Sequence, residues 1–286
     1  MNEYCKSPLN YIGGKYKLLP KMIPFFPKRV NTMYDLFAGG CDVCANISAN
    51  TIYANDINYF VVDIFKAFQK EPVDTLIKRI DDIIEEWGLS KNNEDGFLRL
   101  RRHYNSLPEK ERDPLELYAL VCHSFNYQFR FNNNKEFNNP FGRNRSSFNP
   151  KMRDNLIVFH DRIKNVHFSS VNFHDLDLGF LEDGDFLYAD PPYLITTGSY
   201  NDGKRGFEGW SEKDDLDLFS LLDELDSKGV NFALSNVTIH KGKKNESLIK
   251  WKKRYHTHKL SYNYNNCNYH AQNKKHDTEE VLITNY

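Results

Sequence analysis

Met33-Tyr34-Asp35-Leu36-Phe37-Ala38-Gly39-Gly40 is a short apolar run that ends in two glycines. Such a run predicts a buried strand feeding a tight turn. Residues 41–50 then predict a short helix. Thr51-Ile52-Tyr53-Ala54 predicts a second strand, closed by Asn55-Asp56. Strand, glycine turn, helix and strand in this order open an α/β sheet. Helical spacing follows: Val61, Ile64, Phe65 and Phe68, then Leu76, Ile80, Ile83 and Ile84, then Leu117, Leu120 and Val121 within a helix over 113–127. The α/β rhythm returns after 165. Asp185-Phe186-Leu187-Tyr188-Ala189 predicts a strand that runs into Asp190-Pro191-Pro192-Tyr193. Ser211 to Asp214 has the form of a capping box with Asp in place of Glu. A helix with Leu218, Leu221, Leu222 and Leu225 inward stops near Gly229, before strands at Val230 to Leu234 and at Glu280 to Thr284. The expected architecture is α/β, a catalytic part from 1–62 and 166–286 interrupted by a mostly helical insertion over 63–165.

Composition excludes several classes. The chain has 286 residues, 27% charged and 40% hydrophobic, which is ordinary for a globular protein and unlike a collagenous or disordered one. No apolar run approaches the ~20 residues needed to cross a bilayer. The N-terminus shows no secretory segment, and five cysteines form no disulfide framework, so a reducing cytoplasm is the expected setting. Net charge is −1 but segregated. Residues 128–165 carry +5 and residues 240–259 carry +7, while residues 175–226 carry −12. The two basic stretches form a footprint for a polyanion or, more blandly, solvated faces.

Three segments carry chemistry. Asp190-Pro191-Pro192-Tyr193 follows a strand, where ligands of open α/β sheets sit. The prolines fix φ and donate no N–H, so the carbonyls and the Asp190 carboxylate are acceptors on a stiff frame beside the Tyr193 ring. That set suits a planar amine such as the exocyclic nitrogen of adenine. A rigid loop with a solvated Asp is the competing reading. Second, Asp35 to Gly40, with Asp56 sixteen residues later, suits a nucleoside cofactor whose ribose an acidic residue can hold. The dinucleotide fingerprint is absent. Third, Asn10-Tyr11-Ile12-Gly13-Gly14-Lys15 is not a phosphate loop, because Leu9 replaces the first glycine and Tyr16 the Ser/Thr. Lys15 can still reach a carboxylate or phosphate.

Taken together these segments resemble the Dam-type (D12 class) DNA adenine-N6 methyltransferases. The resemblance runs along nearly the whole chain, from Ser7–Lys15 through Asp35–Gly40, Asn55-Asp56, Glu136–Arg143, Asp190–Tyr193 and Leu234-Ser235-Asn236 to Glu280–Tyr286. It implies a Rossmann-like sheet that binds S-adenosyl-L-methionine, leaves S-adenosyl-L-homocysteine and needs no metal, with an inserted target-recognition domain that reads double-stranded DNA. Tyr11, Lys15, Asp35, Phe37, Gly39, Asp56, Phe173 and Asp190 become cofactor-binding positions. Asp190, Pro191, Pro192 and Tyr193 become the catalytic turn that holds a flipped-out adenine. Asp is displaced before Phe173, where the stretch is Val171-Asn172-Phe173-His174-Asp175.

An adenine inside a duplex must swing out before its N6 can react. Arg pairs with guanine edges and Asn with adenine edges. Arg130, Asn132, Asn139, Pro140, Arg143 and Arg145 are therefore DNA-binding candidates, with Phe131 as a wedge into the stack. Turn formation for the asparagines and a local mini-core for Phe131 and Phe137 compete with this. Lys241, Lys243, Lys244, Lys252 and Lys253 are expected phosphate contacts. The family resemblance over 130–143, and not these pairings, implies GATC as the first target to expect. A bacterial or phage origin and a cognate restriction endonuclease as functional partner complete the expectation. Cys41-x-x-Cys44 has no second Cys or His pair at zinc-site spacing and points to a structural role, while the loose group of histidines 256, 258, 270 and 276 suits solvated or phosphate-facing imidazoles, with a metal site as the alternative. No Pro-Cys dipeptide is present to supply the nucleophile of cytosine-C5 methylation. Cytosine-N4 or RNA-adenine methylation, protein amide methylation, a silent DNA-binding regulator and a metal nuclease are the rival readings.

Overall fold

The computed structural model describes residues 4–196, 209–260 and 278–286. Its strands are β1 (Thr32–Asp35), β2 (Thr51–Asn55), β3 (Val166–Ser169), β4 (Phe186–Ala189), β5 (Asn231–His240), β6 (Lys243–Lys244), β7 (His256–Lys259) and β8 (Thr278–Thr284). They form one sheet in the order β3-β2-β1-β4-β5-β8-β7, with β6 hairpinned onto β5. β1 to β5 are parallel, and β8 and β7 are antiparallel additions. From β1 the chain steps outward to β2 and β3, then crosses back to place β4 on the other side of β1. The order thus reverses between β1 and β4, which puts a crevice beyond their carboxyl ends.

Side chains alternate across this sheet as strand geometry dictates. Tyr34, Leu187, Phe232, Leu234, Val281 and Ile283 pack against α7 (Glu212–Ser227) and α8 (Glu246–Trp251). Met33, Phe186, Tyr188, Ala233 and Leu282 face the other way, against α1 (Leu19–Met22) and Phe26. α7 begins at a capping box, in which Ser211 and Asp214 exchange side chain and backbone hydrogen bonds. It ends where Gly229 takes φ +80°, with Val230 N–H donating to Leu225 and Gly229 N–H to Asp226. That is the Schellman pattern, and a glycine meets its positive φ without a Cβ clash.

Between β2 and β3 lie α2 (Tyr59–Gln69), α3 (Val73–Glu86), α4 (Glu94–Ser106), α5 (Pro114–His123) and α6 (Pro150–Ile163). Their apolar faces close one core that also takes in Cys41, Cys44 and Ala54 from beside the sheet. α2 runs through position 62, so the boundary expected at 62/63 falls inside one continuous helix. The helix expected over 113–127 stops at His123, because Ser124 is extended and Asn126 and Tyr127 both adopt positive φ. The helix expected at 41–50 is reduced to turns and a 3-10 turn at Cys44–Asn46. Some backbone bonds remain, such as Ala45 N–H to Cys41 O and Asn46 N–H to Val43 O, and side chains tie the turn to its neighbours. Asp35 accepts from Cys44 N–H at 3.2 Å, and Asn46 exchanges two bonds with the backbone of Cys5. Cys41 and Cys44, expected as a structural pair, are joined by a disulfide with Cα atoms 5.3 Å apart, which the sequence reading did not contain. Among the described residues no helix is long and apolar enough to cross a membrane.

Candidate active site

The crevice is built from strand ends. Asp35 closes β1, Asp56 follows β2 and Asp190 follows β4. Leu36 N–H donates to Tyr188 O at 2.9 Å and so locks the ends of β1 and β4 side by side. Lys15, from the N-terminal loop, is 6% exposed and pairs with Asp190 Oδ2 at 2.7 Å. The Tyr193 hydroxyl donates to Asp190 Oδ1 at 2.9 Å, and the Lys15 ammonium lies 5.2 Å from the centre of the Tyr193 ring. Pro191 is buried and Pro192 exposed, so the turn is anchored on one side and open on the other. Burial pushes the Asp190 carboxyl above its ordinary value, while Lys15 and Tyr193 pull it back.

The glycine turn is shaped by Tyr11. Gly39 has φ +49°, and a Cβ there would meet the Tyr11 ring at 3.1 Å. Glycine is therefore required for both conformation and contact. Asp56 is anchored in the same place. Its two oxygens accept from Gly39 N–H and Asn58 N–H, each at 2.8 Å, and burial raises its pKa. Asn58 Nδ2 also donates to the Tyr11 hydroxyl at 3.3 Å. Asp35 is 1% exposed, and its Oδ1 has no hydrogen-bond partner. Burial first, then the neighbouring Asp190, pushes the Asp35 carboxyl well up. Phe37 and Phe173 meet with ring centres 5.5 Å apart, and both lie beside Trp210. The structure thus brings together Tyr11, Lys15, Asp35, Gly39, Asp56 and Asp190 to Tyr193, with Phe37 and Phe173 in an adjoining aromatic group.

Trp210 and Glu280 were missed by sequence reasoning. Trp210 lay next to the capping box and carried no periodic signal. Glu280 sat in a strand pattern, where a single acidic residue reads as solvent-facing. Its side chain is 9% exposed instead, with Oε1 3.0 Å from the Tyr193 hydroxyl.

The insertion residues divide into two groups. Arg130, Pro140, Arg143 and Arg145 are exposed. Arg143 pairs with Glu94, and the Arg145 guanidinium lies 5.0 Å from the Phe125 ring. Phe131 is not at the surface. It is 4% exposed, stacked on Phe60 at 4.0 Å and edge-on to Phe137, so the mini-core reading describes this position. Asn132 forms the expected turn, accepting from Asn134 and Glu136 N–H. Asn139 is 1% exposed and donates to Ser124 Oγ and Phe125 O, which holds the backbone rather than a base edge. Phe125, in contrast, is 42% exposed on the positive-φ loop, and Asn10 ties that loop to the N-terminal segment through Asn126 O at 2.9 Å. Lys241, Lys243, Lys244 and Lys253 are exposed and Lys252 partly so. His258 stacks on Phe25, while His270 and His276 lie outside the described residues. No group of three or more metal-ligating side chains occurs among the described residues.

The sequence profile of the D12 class N6 adenine-specific DNA methyltransferases matches residues 11–277. The chain belongs to this family. Among D12 relatives, the type II methyltransferase M.FokI of Planomicrobium okeanokoites is 50% identical over 287 residues, which span 100% of this chain and 43% of the relative. The modification methylase StsI of Streptococcus sanguinis is 49% identical, over 99% of this chain and 43% of the relative. The chain therefore spans less than half the length of these two proteins. The type II methyltransferase M1.LlaDCHI of Lactococcus lactis subsp. cremoris is 28% identical and is covered over 99% of its length.

Proposed function

We propose that this D12 member methylates N6 of adenine in double-stranded DNA with S-adenosylmethionine as donor. The observation that carries this reading is the Asp190–Tyr193 turn at the β1/β4 reversal, with its acceptors and phenol ring beside Asp35 and Asp56. The donor fits the residues around it. The buried, unpartnered Asp35 Oδ1 calls for a cationic donor group, which an α-ammonium supplies. Asp56 offers its remaining lone pairs to ribose hydroxyls, and Tyr11, Phe37 and Phe173 provide apolar faces for an adenine ring. Asp35 feels both Asp190 and Asp56 nearby, and of these three only Asp190 pairs with Lys15, an excess of acid that suits a positively charged ligand.

When bound, S-adenosylmethionine supplies an electrophilic methyl carbon on a sulfonium. The chain's own residues prepare the amine. The adenine nitrogen lone pair is delocalised into its ring and is a poor nucleophile. Asp190 and the Pro191 carbonyl, accepting from the two N–H bonds, favour a pyramidal nitrogen and localise that pair. Tyr193 offers a face for the extruded base. Asp190 need not remove a proton beforehand, because the nitrogen becomes acidic only as its new bond forms. Positioning and fixed charge supply the acceleration.

The part of 63–165 that follows α2 is assigned to target recognition, and all of α2 is left with the sheet. Exposed Arg130, Arg143 and Arg145 approach the DNA from that segment, beside the lysines of 241–253 as phosphate contacts. Phe125 replaces Phe131 as the wedge, since it is the exposed aromatic on the same basic surface. GATC is the first target to test. The relatives' names as modification methylases support a restriction endonuclease as functional partner in a bacterial or phage-infected cell. The test of the activity is incubation with random-sequence duplex DNA and methyl-labelled donor, followed by mapping of modified bases. N6-methyladenine at one short sequence is expected, and label on cytosine, on RNA alone or on no substrate would contradict the reading.

A further inference from the structure

Glu280 stands beside the Asp190 turn without a part in the amine clamp. It lies on β8 opposite Val237, and its backbone carbonyl accepts from Leu260 N–H at 2.9 Å. Its Oε1 is 3.0 Å from the Tyr193 hydroxyl and 3.8 Å from the Lys15 ammonium. The same hydroxyl is 2.9 Å from Asp190 Oδ1, and the same ammonium is 2.7 Å from Asp190 Oδ2. Both donors that hold Asp190 therefore have Glu280 within reach. A phenol carries one proton and cannot donate to two carboxylates at once. The hydroxyl thus sits between two competing acceptors at nearly equal distance.

Asp190 meets a conflict when a substrate amine arrives. Each of its oxygens already accepts from a shielded donor, and a donor displaced by the amine carries a desolvation penalty unless another acceptor takes it. On the adenine-amine reading above, we propose that Glu280 is a positioning residue, the alternate acceptor that takes up the Tyr193 hydroxyl as one N–H of the substrate amine replaces it on Asp190, and that draws the Lys15 ammonium closer while Asp190 still shares it. The exchange needs little motion. The hydroxyl is already at hydrogen-bond distance, and the ammonium closes a gap of about one ångström to reach ordinary ion-pair length. The amine is neutral and Lys15 stays between the two carboxylates, so the protein's charges are the same before and after. Anchoring the hydroxyl on β8 also keeps the Tyr193 ring in place while Asp190 changes partners. Burial raises the Glu280 carboxyl and Lys15 lowers it again, as expected of an acid whose charged form depends on this ammonium.

The test compares Glu280→Ala and Glu280→Gln in the full chain, at saturating donor and DNA. Gln keeps an oxygen for the Tyr193 hydroxyl but cannot neutralise Lys15, whereas Ala keeps neither. We expect kcat to fall about fivefold for Gln and about tenfold or more for Ala. KM for DNA and Kd for S-adenosylmethionine should stay within about twofold, which a general loss of structure would not allow. Thermal melting identifies a variant that fails to fold, in which case the other variant decides. Wild-type kcat in either folded variant would overturn the role of Glu280, as would a loss that appears in donor affinity rather than in kcat. A wild-type chain that methylates no adenine would instead overturn the function on which the inference rests.

Discussion

At the scale of single residues the site is a set of buried carboxyls pushed above their ordinary range. Asp35, Asp56, Asp190 and Glu280 all have raised pKa values, with burial the leading cause of each. A raised folded-state value means that the ligand-free fold gains stability from the protonated form. That contribution is complete below the ordinary carboxyl values of 3.8 and 4.5 and is lost as pH rises through the raised ones. A cationic donor favours the ionised forms, so its affinity should increase over the same rise. Calorimetric titration of S-adenosylmethionine from about pH 5 to 8 should show tightening with pH. Flat or weakening affinity would contradict the assignment of Asp35 and Asp56 to the donor. Asp190, Asp56, Lys15 and Tyr11 were legible in the sequence because each sits in a short motif next to a glycine, a proline or a strand end. Glu280 was not, because strand alternation gives no sign that a distant loop will roof one position. The Tyr193 ring and Lys15, brought from residues far away in the chain, make that roof.

At the scale of elements, period and punctuation fixed most of the fold. The strands β1, β2, β4, β5 and β8 stand where their apolar runs placed them, and the Ser211 capping box starts α7 as its spacing predicted. The failures have a common physical cause, which is side chains that compete with the backbone for hydrogen bonds. In the helix expected after Gly40, Asp35 takes the Cys44 N–H and the Asn46 amide takes the Asp42 carbonyl. The segment 124–146 is likewise stapled by Asn139, Asn132 and Ser124 rather than by a ladder. Residue type alone could not separate an asparagine that reads a base from one that holds a turn. Two variants separate the aromatics of this segment. Phe131→Ala removes a ring from the Phe60–Phe137 core and should cost about 3–5 kcal/mol in urea unfolding. Phe125→Ala should leave unfolding nearly unchanged and reduce base extrusion, seen as a smaller fluorescence rise from 2-aminopurine at the target position. The opposite pattern would return the wedge role to Phe131.

At the scale of the whole molecule, a net charge of −1 hides basic surfaces on the insertion and along 240–259. Part of that charge is internally paired, as Arg254 is with Asp223 and Lys259 with Glu279. The exposed Lys243 and Lys244 form a hairpin edge suited to phosphates. DNA affinity should therefore fall steeply with salt. Replacing both lysines with Ala should lower the log–log slope by about two, measured by fluorescence anisotropy across salt concentrations. An unchanged slope would remove these lysines from the interface. The helices α2 and α6 pack beside the sheet although they belong in sequence to the stretch expected as an insertion, so apolar spacing alone does not mark where that stretch leaves the sheet.

The claim beneath all three scales is that Asp190 acts on the reacting amine rather than on binding. Single-turnover methylation of a mapped target duplex by wild type and by Asp190→Ala tests it, alongside the Kd of each for the same DNA. The account expects the methylation rate to fall by about a hundredfold or more while DNA affinity stays within about threefold. An Asp190→Ala chain that methylates at the wild-type rate, or that loses turnover only because it no longer binds DNA, would contradict it.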